Sequence, residues 1–246
     1  LFYYMLNAWK DAGKLNGNQY IVKTIVTTEL LVEMAKKFGV EYYDVLTGFK
    51  FIAEILGQNE GKKDFIIGGE ESYGYLAGDF IRDKDAVMSG ALIAEMLAWA
   101  KSKNTSALDL LAKIYVEYGF YYEGLVNVEK HGMQGASEIK QIMTDFRKNP
   151  PKKMDGFEIV KIKDYEVQKE FDLIAKTEKP INLPKSDVLQ FVAADGTQIS
   201  VRPSGTEPKI KFYFGVKLPM QQTTEFNAKI DEAKAKIKRI ANELSL

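Results

Sequence analysis

Residues 68–74 read Gly-Gly-Glu-Glu-Ser-Tyr-Gly, two adjacent carboxylates and a hydroxyl set between glycines. A carboxylate accepts hydrogen bonds from two hydroxyls at once, which is what a vicinal diol offers. Glycines let a ligand approach the backbone closely. A plain strand-to-helix turn with solvated glutamates accounts for the same residues, and on this segment alone both readings stand. Residues 202–209 read Arg-Pro-Ser-Gly-Thr-Glu-Pro-Lys. A guanidinium forks onto two phosphate oxygens, and two hydroxyls with a glycine amide complete an oxyanion cradle. The prolines stiffen the loop and lower the ordering cost of binding. The bland alternative is a Ser-Gly turn with an incidental arginine, and the density of small donors favours the anion site. It is not a P-loop: GxxxxGK[ST] is absent, and Gly61-Lys62-Lys63 lacks the hydroxyl residue.

Two basic stretches accompany these loops. Thr47-Gly48-Phe49-Lys50 would aim Lys50 at the same sheet edge as Glu70, and Ile81-Arg82-Asp83-Lys84-Asp85 adds Arg82 and Lys84. By spacing alone, solvated surface charge is the simpler reading of both. The single His131 lies by a glycine in a loop and receives no role. The tyrosine pairs at 3–4, 42–43 and 121–122 read as packing, since a base-stacking surface wants basic neighbours.

The elements that must position these residues follow two grammars. Residues 20–26 (YIVKTIV) form a β-branched strand. Thr27 and Thr28 offer N-caps to a helix over 29–38, which Gly39 ends. Residues 40–46 form a second strand, and Thr47-Gly48 turns it into a helix ending near Leu56. Residues 65–68 form a short buried strand running into the glycine loop, and long helices follow at 85–103 and 106–118. This alternation predicts a mostly parallel sheet between helix layers, with ligands at its carboxyl edge. Beyond Gly119 strands dominate: 120–130, 156–163, 188–194, 198–202 and 209–216, with helices at 136–147 and 223–244. Asp195-Gly196 signals a two-residue hairpin turn. The expected fold is therefore α/β, a three-layer, mostly parallel α/β/α domain over 1–119. A smaller α+β domain with an antiparallel sheet follows over 120–246.

Composition excludes several classes. The 246 residues are 46% hydrophobic and 28% charged, ordinary for a globular chain. Lys and Arg number 34 against 34 Asp and Glu, so the basic excess of a nucleic-acid binder is missing. With no cysteine and one histidine, disulfides, thiolate zinc sites and two-histidine sites are out. The apolar run at 86–100 falls short of the ~20 residues that span a bilayer. It contains Glu95 and reads as an internal helix, apolar nearly all round. Residues 1–9 lack the basic region and cleavage site of a secretion signal. The expected compartment is the cytoplasm, with no nucleic-acid or membrane partner. A start on Leu1 suggests a piece of a longer chain.

In this order, TGFK, GGEESYG, IRDKDA and RPSGTEPK resemble the α-D-phosphohexomutases, the phosphoglucomutase and phosphomannomutase family. The resemblance covers essentially the whole chain, but only domains three and four of the four in that family. Segments like TASHNP, which holds the phosphorylated serine, and DGDGDR, which holds magnesium, do not occur. The resemblance implies the substrate-binding C-terminal half of an enzyme that interconverts hexose 1-phosphate and hexose 6-phosphate through a 1,6-bisphosphate. Its Mg2+ ligands and its phosphoserine would lie on N-terminal domains outside this chain, leaving this part inactive alone.

By that resemblance Glu70 and Ser72 read the sugar's O3 and O4, which occupy nearly equivalent places in either orientation. Arg202, Ser204, Gly205 and Thr206 hold the phosphate that is not transferred. Lys50 and Lys84 steady the transferring phosphoryl group or move a proton, and Arg82 is a weaker member of that cluster. The dual-specificity bacterial branch tends to have GEMSGH, with histidine where Gly74 stands here, so GEESYG looks more like the phosphoglucomutase branch. Phosphomannomutase stays open, because O2 is not read by the O3/O4 pair. The alternative from another class is a stand-alone phosphosugar-binding or regulatory module that uses the same loops without catalysis.

Overall fold

The computed structural model describes residues 1–130, 134–205 and 207–246; His131 and Thr206 thus lie outside the described residues. Two compact units emerge: Leu1–Gly119 with Gln221–Thr223, and Phe120–Met220 with Thr224–Leu246.

The first unit runs α1 (Phe2–Asp11), β1 (Gln19–Thr24), α2 (Leu30–Phe38), β2 (Glu41–Val45), α3 (Phe49–Asn59) and β3 (Asp64–Gly69). It continues through β4 (Tyr75–Ala77), α4 (Ala86–Ser102) and α5 (Ala107–Tyr118). The sheet order is β2-β1-β3-β4, with β1 parallel to β2 and β3 and with β4 antiparallel to β3. Every residue of β1 is buried, as a central strand flanked on both faces requires. Tyr20 anchors the core beneath α3 with Val22, Ile52, Leu56, Phe65 and Leu76. Its ring meets Tyr43 at 5.4 Å and Phe65 at 5.5 Å between centroids. Gly39 ends α2 at φ +66°, and Val40 donates its N–H back to Ala35, the left-handed stop the sequence predicts. Ser106 and Asp109 form a reciprocal capping box at the start of α5.

One open alternative and one expectation fail here. The glycine loop is not a strand-to-helix turn: it reverses into β4, pairing Gly69 with Tyr75. The apolar run is not an internal helix either. Of α4 only Ser89 and Ala100 are buried, while Val87, Ile93 and Leu97 are exposed. Apolar composition on all sides implies an apolar environment on all sides only when enough neighbours exist to supply it.

The second unit runs β5 (Phe120–Glu129), α6 (Gly135–Lys148), β6 (Lys153–Met154), β7 (Phe157–Asp164), β8 (Lys169–Asp172) and β9 (Thr177–Pro180). It continues through β10 (Leu189–Ala193), β11 (Gln198–Pro203), β12 (Lys209–Leu218) and α7 (Phe226–Glu243). The antiparallel sheet has the order β5-β12-β11-β10-β7-β8-β9, with β6 hairpinned to β7. Helices α6 and α7 place Ile139, Met143 and Ile240 on Phe191, Ile199, Val201, Phe212 and Phe214. The hairpin at Asp195 is one residue longer than expected. The Ala193 N–H reaches Thr197 O at 2.8 Å around Ala194, Asp195 and a left-handed Gly196 at φ +85°. Lys236 of α7 is buried against the Asp195 carboxylate and lies 4.6 Å from the Phe157 ring.

Candidate functional site

Strand β3 delivers the glycine loop to the carboxyl edge of the parallel sheet. Its first two glycines answer to packing, not to a ligand. A Cβ on Gly69 would stand 2.9 Å from the Tyr75 ring and 3.1 Å from Phe2, and one on Gly68 would stand 3.0 Å from Ile52. Glu70 follows, only 8% exposed. Its N–H closes the turn on Gly74 O at 2.8 Å. Its Oε1 accepts the N–H of Gly48 at 2.8 Å, where Gly48 precedes the first turn of α3. The positive end of the helix thus faces the carboxylate. A Cβ on Gly74 would sit 3.3 Å from Glu70 Oε2 and 3.2 Å from Lys84 Cδ, so the Lys84 stem passes beside the carboxylate.

The structure thus brings together Glu70, the TGFK segment and Lys84. Lys50 stands exposed in the first turn of α3, its Nζ 4.9 Å from the Phe51 ring centroid. Lys84 Nζ is 5.9 Å from that of Phe49. Neither lysine makes an ion pair among the described residues. Ser72 is exposed at the tip of the turn. Arg82 goes elsewhere. Its guanidinium pairs with Glu60 at 3.1 Å and lies against Gly57, near the far end of α3.

Glu71, to which no role falls from the sequence, turns toward β1. Its Oε2 accepts the Thr24 hydroxyl at 2.9 Å and lies 3.4 Å from that of Thr27. Beside it Lys23, fully buried, pairs with Asp44 at 2.8 Å and Glu29 at 2.9 Å and donates to the carbonyls of Thr24 and Thr27. Burial opposes its charge, yet the two carboxylates outweigh that and hold its pKa above the ordinary value.

In the second unit Arg202, half-buried, sits near the end of β11 directly opposite Lys211 of β12. Neither forms an ion pair with a carboxylate among the described residues. Like charges placed directly opposite repel, so an anion would offset them. Lys211 went unnoticed in the sequence because its spacing from Arg202 carries no signal until the register is known. The turn closes through Ser204 N–H to Lys209 O at 2.8 Å. Gly205 is exposed, and a Cβ there would meet nothing within 4 Å. Unlike Gly68 and Gly69, it has no packing reason to be glycine, and its N–H makes no hydrogen bond among the described residues. Thr206 lies outside the described residues.

Among the described residues no group of three or more His, Asp or Glu side chains is placed to hold a metal ion. By the resemblance, the magnesium ligands belong to sequence outside this chain. No described helix is long and apolar enough to cross a membrane.

Comparison with known proteins matches two stretches of the chain to domains of one family. The phosphoglucomutase/phosphomannomutase alpha/beta/alpha domain III model matches residues 1–118. The C-terminal domain model of the same family matches residues 138–233. Phosphoglucomutase of Staphylococcus aureus (strain bovine RF122 / ET3-1) is 39% identical over 202 residues, 82% of this chain and 36% of that protein. The strain N315 protein is 38% identical over the same length. The chain thus spans little more than a third of the curated relatives it matches.

Among solved structures, the open form of the exocytosis-sensitive phosphoprotein parafusin from Paramecium aligns with TM-score 0.58 at 20% identity. It covers 98% of this chain and 41% of its own. A phosphoglucomutase/phosphomannomutase family protein from Burkholderia thailandensis aligns with TM-score 0.53 at 16% identity, covering 99% and 40%. At such identities these two likenesses carry the fold alone.

Proposed function

The chain belongs to the phosphoglucomutase/phosphomannomutase family, and on that footing we propose that it supplies the sugar-reading and phosphate-holding loops of a phosphohexomutase. The enzyme would interconvert hexose 1-phosphate and hexose 6-phosphate through a bisphosphate, with glucose as the preferred sugar and mannose as the second candidate. The phosphoryl-carrying serine and the metal loop would be supplied by sequence outside this chain.

The observation that carries this reading is the state of Glu70. A nearly buried carboxylate has one oxygen fixed by Gly48 N–H and the other beside Gly74 and Lys84. Such a group is costly to bury without partners, and a pair of sugar hydroxyls would satisfy it. Each hydrogen bond to a charged acceptor contributes ~1.5–3 kcal/mol. Ser72 would add one donor and acceptor. Lys84 and Lys50 would neutralise a phosphoryl group near the hydroxyls or hold a proton, and Arg82, held at Glu60, is left out of the set.

In the second unit, Arg202 with Lys211, Ser204 and the Gly205 amide would hold the phosphate that stays in place. Thr206 would add a hydroxyl by resemblance.

Calorimetric titration of the purified chain with glucose 1-phosphate tests both roles. Glu70→Ala and Arg202→Ala should each weaken binding at least tenfold, the first without affecting inorganic phosphate. Failure of the unaltered chain to bind at millimolar concentration would overturn the reading. Mutase turnover by the chain alone would overturn the assignment of the phosphoryl-carrying serine to other sequence.

A further inference from the structure

We propose that Glu71 is a positioning residue: clamped to the hydroxyls at the end of β1, it sets the turn that presents Glu70 and Ser72 to the sugar. The proposal rests on the sugar-reading role of those two residues. Glu70 and Glu71, consecutive in the turn after β3, are held by two different segments. Glu70 is held at the start of α3 by Gly48 N–H, while Glu71 is held at the end of β1 by Thr24.

The turn needs such a hold. Between the Glu70 N–H and Gly74 O that close it, Tyr73 adopts φ +64°, a left-handed conformation that costs a tyrosine energy, and its ring is 88% exposed. A ring so exposed gains little packing among the described residues to stabilise the conformation, which leaves the tether to the other members of the turn.

Oε2 of Glu71 accepts the Thr24 hydroxyl at 2.9 Å and the Thr27 hydroxyl at 3.4 Å, and the two hydroxyls lie 2.9 Å apart. Each hydroxyl has one proton to donate, so two protons serve three contacts and the carboxylate is held whichever threonine donates to the other. Lys23 fixes the turn that carries both hydroxyls. Its ammonium holds the carbonyls of Thr24 and Thr27, and the Thr27 N–H closes on Thr24 O at 3.0 Å. A buried cation neutralised by Asp44 and Glu29 thus anchors a short turn whose hydroxyls grip the glutamate next to the sugar-reading one.

The experiment titrates the chain with glucose 1-phosphate, with its C4 epimer galactose 1-phosphate, and with inorganic phosphate. Glu71→Ala and Thr24→Val should each weaken glucose 1-phosphate about tenfold, leave inorganic phosphate unchanged and shrink the preference for glucose over galactose. Glu71→Gln and Thr24→Ser, which keep the acceptor and the hydroxyl, should restore most of that preference. Slow amide exchange at Tyr20–Val22 in every variant shows that the sheet is intact, and a purely structural defect would not alter epimer preference. If Glu70→Ala loses the preference while Glu71→Ala and Thr24→Val keep it, the clamp is overturned and the sugar-reading role stands. If Glu70→Ala also keeps it, both fall.

Discussion

The backbone N–H of Gly48 donates a 2.8 Å hydrogen bond to Oε1 of Glu70, joining two loops 22 residues apart in sequence. Gly48 can do this because it holds φ +121°, outside the range of ordinary side chains. A methyl group there has room, with the Phe51 ring 3.9 Å away, so the penalty of substitution is conformational. Gly48→Ala should lower stability by about 1–3 kcal/mol and weaken glucose 1-phosphate binding together with it. Chemical denaturation and calorimetry on the same variant check the pairing.

Arg202 and Lys211 should behave oppositely with and without ligand. Directly opposed cations repel, so Lys211→Ala should stabilise the free second unit by a few tenths of a kcal/mol, on the order of 0.2–1. The same change should weaken phosphate binding and flatten its salt dependence. Thermal unfolding with and without phosphate would display the crossing; destabilisation in both conditions would count against the anion site.

Asp155 should make stability depend on pH. Forked hydrogen bonds from Arg239, at 2.5 and 2.8 Å, hold its carboxyl below the ordinary value of 3.8 against the opposing effect of burial. A group with a depressed folded pKa stabilises above its unfolded pKa and loses that contribution as pH falls through the folded one. Asp155→Asn should therefore lower stability at pH 7 by about 0.5–1 kcal/mol given the exposed arginine, seen as a lower Tm. The difference from the unaltered chain should close as the pH drops below 3.8.

The outer face of α4 should tolerate charge. Val87 is 85% exposed, so Val87→Glu removes no buried contact and should shift unfolding by less than about 0.5 kcal/mol. Gly69→Ala, by contrast, forces a methyl against Tyr75 and Phe2 and should cost about 1–3 kcal/mol. Urea titration of the two variants would rank them, although hydropathy alone would rank them the other way.

Much of this protein was legible along the chain, because the signals involved are local. β-branched runs, the glycine stop after Phe38 and the change from alternating strands and helices to successive strands past Gly119 each reflect forces acting within a few residues. The spacing of TGFK, GGEESYG, IRDKDA and RPSGTEPK also lies along the chain, and it carried the family resemblance. The tertiary structure decided which distant groups meet. Sequence could not say that Lys211 faces Arg202, because a one-residue slip in register would send the side chain to the other face. Nor could it separate Gly69, excluded from bearing a Cβ by Tyr75 and Phe2, from Gly205, which borders open space, since composition treats them alike. The hold of Gly48 on Glu70 and of Thr24 on Glu71 depends on three segments converging at one sheet edge. That convergence follows from the parallel pairing of β1 with β2 and β3, a non-local choice that no window of neighbouring residues contains.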